Sequence, residues 1–420
     1  MENNLLLYNI GVLVTGKELP KNNSETSMEN IEVLEKAFLV VEEGKVLDYG
    51  TGNIPDKYRN KDYKEIDVKG NVITPGIVDS HMHLVHYGSR ENELTMKLQG
   101  VPYLEILRNG GGILSTVRAT RKASKEQLYK KAFETLNRML LFGVTTVESK
   151  SGYGLDLENE IKQLEVNQML NLNHPIDVVS TFMGAHAIPE EYRNRNAQYV
   201  QEVLNMLPII KEKQLAEFCD VFCEEGVFSV EETRKILNRA KELGYKVKLH
   251  GDEIVSLGGG ELAGEIKAIS AEHLMAVSDN GIESLKDNGV IANILPATSF
   301  NLGKSYAPVR KMIDKGIKIA LSSDYNPGSC PCENMQFVMN IASCQLRMTP
   351  KEIFKAVCLN GARAINREKE IGSLERGKYA DFIIYDTKNI EYIFYNFGTN
   401  HVKDVFKKGI QVVEDRCLKL

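Results

Sequence analysis

"GVTTVESKSGYGLDLENEIKQLEVNQMLNL", residues 143–172, holds one strand and one helix joined by a glycine-bearing turn. Val144 to Val147 form a β-branched run that ends in Glu148, Ser149 and Lys150, and a charged, helix-like stretch begins at Asp156. The unit recurs. "IDVVSTFMGAHAIP" precedes "NAQYVQEVLNMLPIIKEKQL", "CDVFCEEGVF" precedes "SVEETRKILNRAKELG", and "YKVKLHGDE" precedes "GGGELAGEIKAI"; "SAEHL", "VIANILPAT" and "IKIALSSDYNPGS" follow. Repeated strand-then-helix units require parallel strands with right-handed crossovers. So many of them predict an α/β chain folded as a (β/α)8 TIM barrel. A doubly wound sheet is the alternative, but no GxGxxG follows the first strand of the unit.

The flanks differ in style. "NLLLYNIGVLVTG", "KAFLVVEEGKVLDYG" and "EIDVKGNVITPG" read as short strands between turns, with "KELPKNNSETSMEN" as a surface loop. "GSLERGKYADFIIYD" and "HVKDVFKKGIQVVED" return to that style near the other end. Both ends are therefore expected to build one small β-sandwich-like domain, residues 1–72 and 372–420, interrupted by the barrel at 73–371.

With 420 residues, 43% hydrophobic and 26% charged, the chain has an ordinary globular composition. Its net charge of −5 is spread without a basic run, which argues against nucleic acid as a partner. Seven cysteines without a CxxC framework fit a reducing compartment, and the Cys330–Cys332 pair is read as inert rather than metal-binding. The acidic start "MENNLLLYNI" is unlike a signal peptide, and no segment approaches the ~20 apolar residues of a membrane span. A cytoplasmic protein acting on a small molecule is expected.

In a barrel of this kind, chemistry sits where strands end. Five of the eight histidines fall there: His81, His83, His186, His250 and His273. His81 and His83 are one residue apart, so an extended strand puts both rings on one face, aimed at a shared point where a metal ion fits. A pair of turn histidines bonded to backbone is the bland alternative. His250 could add a third nitrogen and Asp324 a carboxylate, although "SSDYNPG" also suits an Asx turn. Glu253 lies three residues past His250, within reach of a water on a metal, or is a solvated loop charge. His273 could bind metal or polarise a carbonyl. His86, His174 and His401 are read as structural. The triplets Gly110 to Gly112 and Gly258 to Gly260 lack a phosphate-loop context and are read as flexible loops.

This set resembles the amidohydrolase superfamily, whose members pair a (β/α)8 barrel with a small β domain from both chain ends. "VITPGIVDSHMHL" is similar to its first-strand signature and "LNGARAINREKEIGSLERGKYADFIIYD" to its C-terminal one. Within it, "GGGI", "ESKSGYGL", "TFMGAHAIP", "DVFCEEGVF", "LHGDE" and "SSDYNPGS" resemble the imidazolonepropionase family of histidine degradation. Met82 stands where Thr is expected and Gly251 where Ala is usual; neither change removes a functional side chain.

The resemblance implies one metal ion, Zn2+ or Fe3+, on His81, His83, His250 and Asp324. It places Arg90, Tyr153 and His186 around the substrate, Glu253 beside substrate and hydrolytic water, and His273 near the scissile carbonyl. Asp324 then also relays a proton to the departing nitrogen, and Asn326, Gly328 and Ser329 face the product side. The implied reaction opens the ring of 4-imidazolone-5-propanoate to N-formimidoyl-L-glutamate, in a homodimer. An Arg near a propionate suits bidentate recognition, and Tyr153 suits stacking on a heterocycle; their alternatives are a surface salt bridge and simple packing. Another cyclic amidohydrolase or a deaminase is the rival, with Lys150 as a place to look for the carboxylated lysine of binuclear members. A binding protein that has lost its site would lack a ligand, and none is missing.

Overall fold

A computed structural model of the chain describes residues 4–20, 28–59, 62–101 and 111–419. The β-branched N-terminal runs pair at once. β1 (Leu5–Glu18), β2 (Ile31–Glu42) and β3 (Lys45–Thr51) form an antiparallel meander, and β4 (Lys64–Asp67) and β5 (Val72–Pro75) run parallel to β1. Of the expected surface loop at 17–30, Lys17 and Glu18 still belong to β1, and residues 21–27 lie outside the described residues.

Eight strands follow: β6 (Ile77–Met82), β7 (Val144–Lys150), β8 (Asp177–Ala185), β9 (Phe218–Cys223), β10 (Lys246–Gly251), β11 (Ser270–His273), β12 (Ile291–Ile294) and β13 (Ile319–Leu321). They pair in chain order and all in parallel. The sheet closes just beyond β13, where Asp324 N donates to His81 O (3.1 Å) and His83 N to Tyr325 O (2.8 Å). Helices cover the outside while side chains fill the inside, so every residue of β7 is buried. Several helices start where short polar residues satisfy their free N–H groups. Ser124 with Gln127, Ser229 with Glu232 and Thr349 with Glu352 form capping boxes, and Asp156 caps Leu157–Asn173.

The chain then returns to the first sheet. β14 (Phe382–Tyr385) pairs antiparallel with β5, Ile384 opposite Ile73, and β15 (Val402–Lys407), β16 (Ile410–Glu414) and β17 (Cys417–Leu418) extend it. Both chain ends thus share one nine-stranded mixed sheet, and the middle is a nearly closed parallel barrel. Lys407 ties the two together, its buried ammonium 2.6 Å from Asp381 and 2.8 Å from Asp177. No described helix is long and apolar enough to cross a membrane.

Candidate metal centre and active site

β6 delivers His81 from its last turn of pleat and His83 just past its end, and the parallel neighbours bring the rest of the cluster. One ring nitrogen each from His81, His83 and His250 lie within 4.8 Å of one another, and so do ligand atoms of His81, His273 and Asp324. Asp324 Oδ1 is 3.5 Å from His81 Nε2 and 3.8 Å from His83 Nε2. His273 and Asp324 hold left-handed backbones, φ 68° and 54°, which side-chain-bearing residues adopt at a cost.

Each of two rings has a carboxylate behind it. His81 Nδ1 meets Glu272 Oε2 at 2.8 Å, and His250 Nδ1 meets Asp220 Oδ1 at 3.0 Å. These contacts commit one nitrogen of each ring and direct the other into the cluster. There, His81 Nε2 and His250 Nε2 are buried without a hydrogen-bond partner among the described residues. Burial, then neighbouring cationic groups, hold His81, His83 and His273 far below the ordinary imidazole range, so these rings are neutral with lone pairs available. Three imidazoles and a carboxylate around orphaned nitrogens fit a borderline metal ion such as zinc.

Deeper in the barrel lies a fully buried ionic network. Lys150 is 2.8 Å from Glu148 and 2.8 Å from Asp220, while Lys248 lies 3.8 Å from Glu148 and 3.9 Å from Glu272. Burial alone would raise the Asp220 carboxyl, but His250 and Lys150 outweigh it and hold it below the usual carboxylate range. For Glu272 burial prevails over Lys248 and Lys150, and its carboxyl is raised. Lys150 is thus occupied by two carboxylates.

The loop after β7 is pinned by side chains of the helix that follows it. Glu160, buried in Leu157–Asn173, accepts the backbone N–H groups of Gly152, Gly154 and Leu155, and Gln163 accepts that of Tyr153. Tyr153 is thereby held with its ring 5.8 Å from His83 and 5.3 Å from His186. His186 stacks on His83 at 4.6 Å and 11°, its Nδ1 bonded to Gly152 O. Gly152 (φ 108°) has no substitute, since a Cβ there would lie 2.8 Å from His186 Nδ1.

The glycine triplet at 258–260 acts as an anion cradle after all, filled from within. Asp252 accepts the N–H groups of Leu257, Gly258 and Gly259 with one oxygen and that of Gly260 with the other. Glu224 takes those of Ile254 and Val255. Between these anchors Glu253 faces the mouth, Oε2 3.5 Å from His273 Nε2. Burial, followed by the charges of Asp324 and Glu224, pushes the Glu253 carboxyl up to about 8; burial pushes that of Asp324 up to about 6.

Arg90 is bidentate to Glu93 through Nε and Nη2, both 2.9 Å, and Glu93 also accepts the N–H of Gly112 at 2.7 Å. Its guanidinium lies against Gly328, where a Cβ would come 2.1 Å from Nη1. Asn326 folds its amide into its own loop, donating to Asp324 O and accepting from Gly328 N and Ser329 N. Gly110 lies outside the described residues. His86, His174 and His401 stand away from the nitrogen cluster, bonding His83 O, Asn137 and Asp386 respectively.

Sequence reasoning passed over Asp220, Glu272, Glu160 and Glu93. The available signal was a charge inside an apolar strand, as in "FCDVFC", which must find a partner on a neighbouring strand. Glu93 and Glu160 look like solvated helix charges until their backbone partners are seen.

Comparison with known proteins follows the same lines. The sequence profile described as the Amidohydrolase family matches residues 72–412. An imidazolonepropionase of Fusobacterium nucleatum subsp. nucleatum is 57% identical over 410 residues, covering 97% of this chain and 98% of its own. One from Alkaliphilus oremlandii is 52% identical over 411 residues, 97% of each. The crystal structure of a triazine hydrolase variant shares the fold at a TM-score of 0.74 and 16% identity, covering 100% of this chain and 96% of that one. The chain belongs to the amidohydrolase family of metal-dependent hydrolases and, within it, to the imidazolonepropionases.

Proposed function

We propose that this chain hydrolyses 4-imidazolone-5-propanoate to N-formimidoyl-L-glutamate at the mouth of the barrel. The observation that supports the reading is the pair of overlapping groups that share His81, one with His83 and His250 and one with His273 and Asp324, with the Nε2 atoms of His81 and His250 left open. His81, His83, His250 and Asp324 would hold a single ion, zinc or trivalent iron. When bound, the ion lowers the pKa of a coordinated water and polarises a carbonyl.

The chain's own residues do the rest. Glu253 takes a proton from the attacking water as the new C–O bond forms at the ring carbonyl; with an ion held by those four residues, its raised carboxyl would be drawn back toward the ionised form. His273, beside Glu253, donates to the developing oxyanion. The ring C–N bond then breaks, and Asp324 relays to the leaving nitrogen the proton that Glu253 took from the water, which returns both carboxylates to their starting state. Arg90 receives the propionate, with Tyr153 and His186 against the ring, while the loop shaped by Asn326, Gly328 and Ser329 borders the product. Seven unpaired thiols support action in the cytoplasm, and the reading includes a homodimer.

The test is formation of N-formimidoyl-L-glutamate by purified protein before and after chelation, alongside Glu253→Gln. Turnover should need the ion, and Glu253→Gln should lower kcat by ~10²–10⁴-fold with KM little changed. Metal-loaded protein that leaves this substrate intact would sink the reading.

A further inference from the structure

We propose that Lys150 is a positioning residue for the histidine cluster, clamping the carboxylate that decides which nitrogen His250 presents. The inference rests on the ligand reading of His250 given above. Lys150 ends β7 with its side chain fully buried, its ammonium paired to Glu148 Oε1 and Asp220 Oδ2, both at 2.8 Å. Asp220 therefore divides its oxygens between two duties. Oδ2 faces Lys150, and Oδ1 accepts from the backbone N–H of His250 (3.2 Å) and from its Nδ1 (3.0 Å). An ionised acceptor at Nδ1 keeps the proton there and leaves the Nε2 lone pair facing the cluster.

The other supported ring is held by different means. Glu272 faces His81 with Oε2, its second oxygen takes the Ser270 hydroxyl, and the Lys248 ammonium stays 3.9 Å away. A lysine grips one carboxylate directly and a serine the other. Glu148 completes the clamp from the far side, where it also accepts the Thr181 hydroxyl and so cannot swing freely. The charge of Lys150 also bears on His81, His83 and His273 across the barrel, but Asp220 is the partner through which it bonds to a ring.

Zinc affinity, measured by chelator competition, tests this in the full-length protein. Lys150→Met should bind zinc ~10–100-fold more weakly than wild type, and Lys150→Met added to Asp220→Asn should cost nothing further, because both break one linkage. Removing one buried ammonium and leaving its carboxylates can prevent folding, so the charge-balanced Lys150→Met/Glu148→Gln carries the same expectation. Nitrogen-15 NMR of metal-free wild type should show His250 as the Nδ1–H tautomer. Unchanged zinc affinity in the balanced variant, multiplying losses in the combined one, or an Nε2–H tautomer overturns the proposal. His250→Ala separates the two readings. If it binds zinc like wild type, the ligand reading falls and this one with it; if it loses zinc while the lysine variants do not, this one alone falls.

Discussion

The two interiors of this molecule are filled by opposite rules. Beneath the nine-stranded sheet, Leu7, Leu13, Leu39, Ile73, Phe382, Ile384 and Phe406 pack without a charge among them, the rings of Phe382 and Phe406 stacked at 4.4 Å. Inside the barrel, Asp79, Glu148, Lys150, Asp220, Lys248 and Glu272 are buried, each at 0% exposure. Apolar burial stabilises; buried charge costs free energy unless paired. The contrast assigns stability to the sheet and the barrel's outer layers, and leaves the barrel's inner layer free to serve chemistry.

The strongest attempt to break that contrast is Phe382→Ala. It should destabilise the protein by about 3–5 kcal/mol in denaturant titration while kcat per folded molecule stays put. A kcat that fell in step with stability would show that the sheet takes part in the site.

A smaller effect is expected at Asp79, whose Oδ2 is buried without a hydrogen-bond partner among the described residues. Burial raises its carboxyl to about 7, against a model-peptide value of 3.8. The folded state thus holds this proton more tightly than the unfolded one, so its contribution is full below pH ~4 and is lost as pH rises through about 7. Metal-free Asp79→Asn should flatten that fall by on the order of a few kcal/mol between pH 5 and 8. A wild-type stability that climbs over the same range would contradict the sign.

The smallest expected effect sharpens the comparison at the mouth. Gly328→Ala pushes against the Arg90 guanidinium and should raise KM by roughly tenfold, with melting temperature unmoved. A change in kcat alone would place Arg90 elsewhere than at the substrate's tail.

Much of this was legible in the sequence because it depends on local period and position. Strand-then-helix units fixed parallel pairing, and polar residues after apolar runs, His81 to Asp324, marked the open end of the barrel. What stayed hidden depends on neighbours that only closure supplies. Nothing around Asp220 says that Lys150, two strands away on β7, and His250, on the adjacent β10, will meet it. The triplet Gly258 to Gly260 reads as a flexible loop because its occupant, Asp252, is a side chain of the same loop, six residues upstream of Gly258. Glu160 was unremarkable for a similar reason: its partners are backbone groups, which leave no mark in side-chain composition.

Barrel closure at His81 and Asp324 has a consequence for biosynthesis. The first histidines leave the ribosome early, but the carboxylate beside them is translated only after seven more strands, and β14 to β17 must still follow to complete the sheet that β1 began. With the ligands proposed above, a nascent chain would offer an incoming ion only part of the set, and full-strength capture would report that translation has passed residue 324.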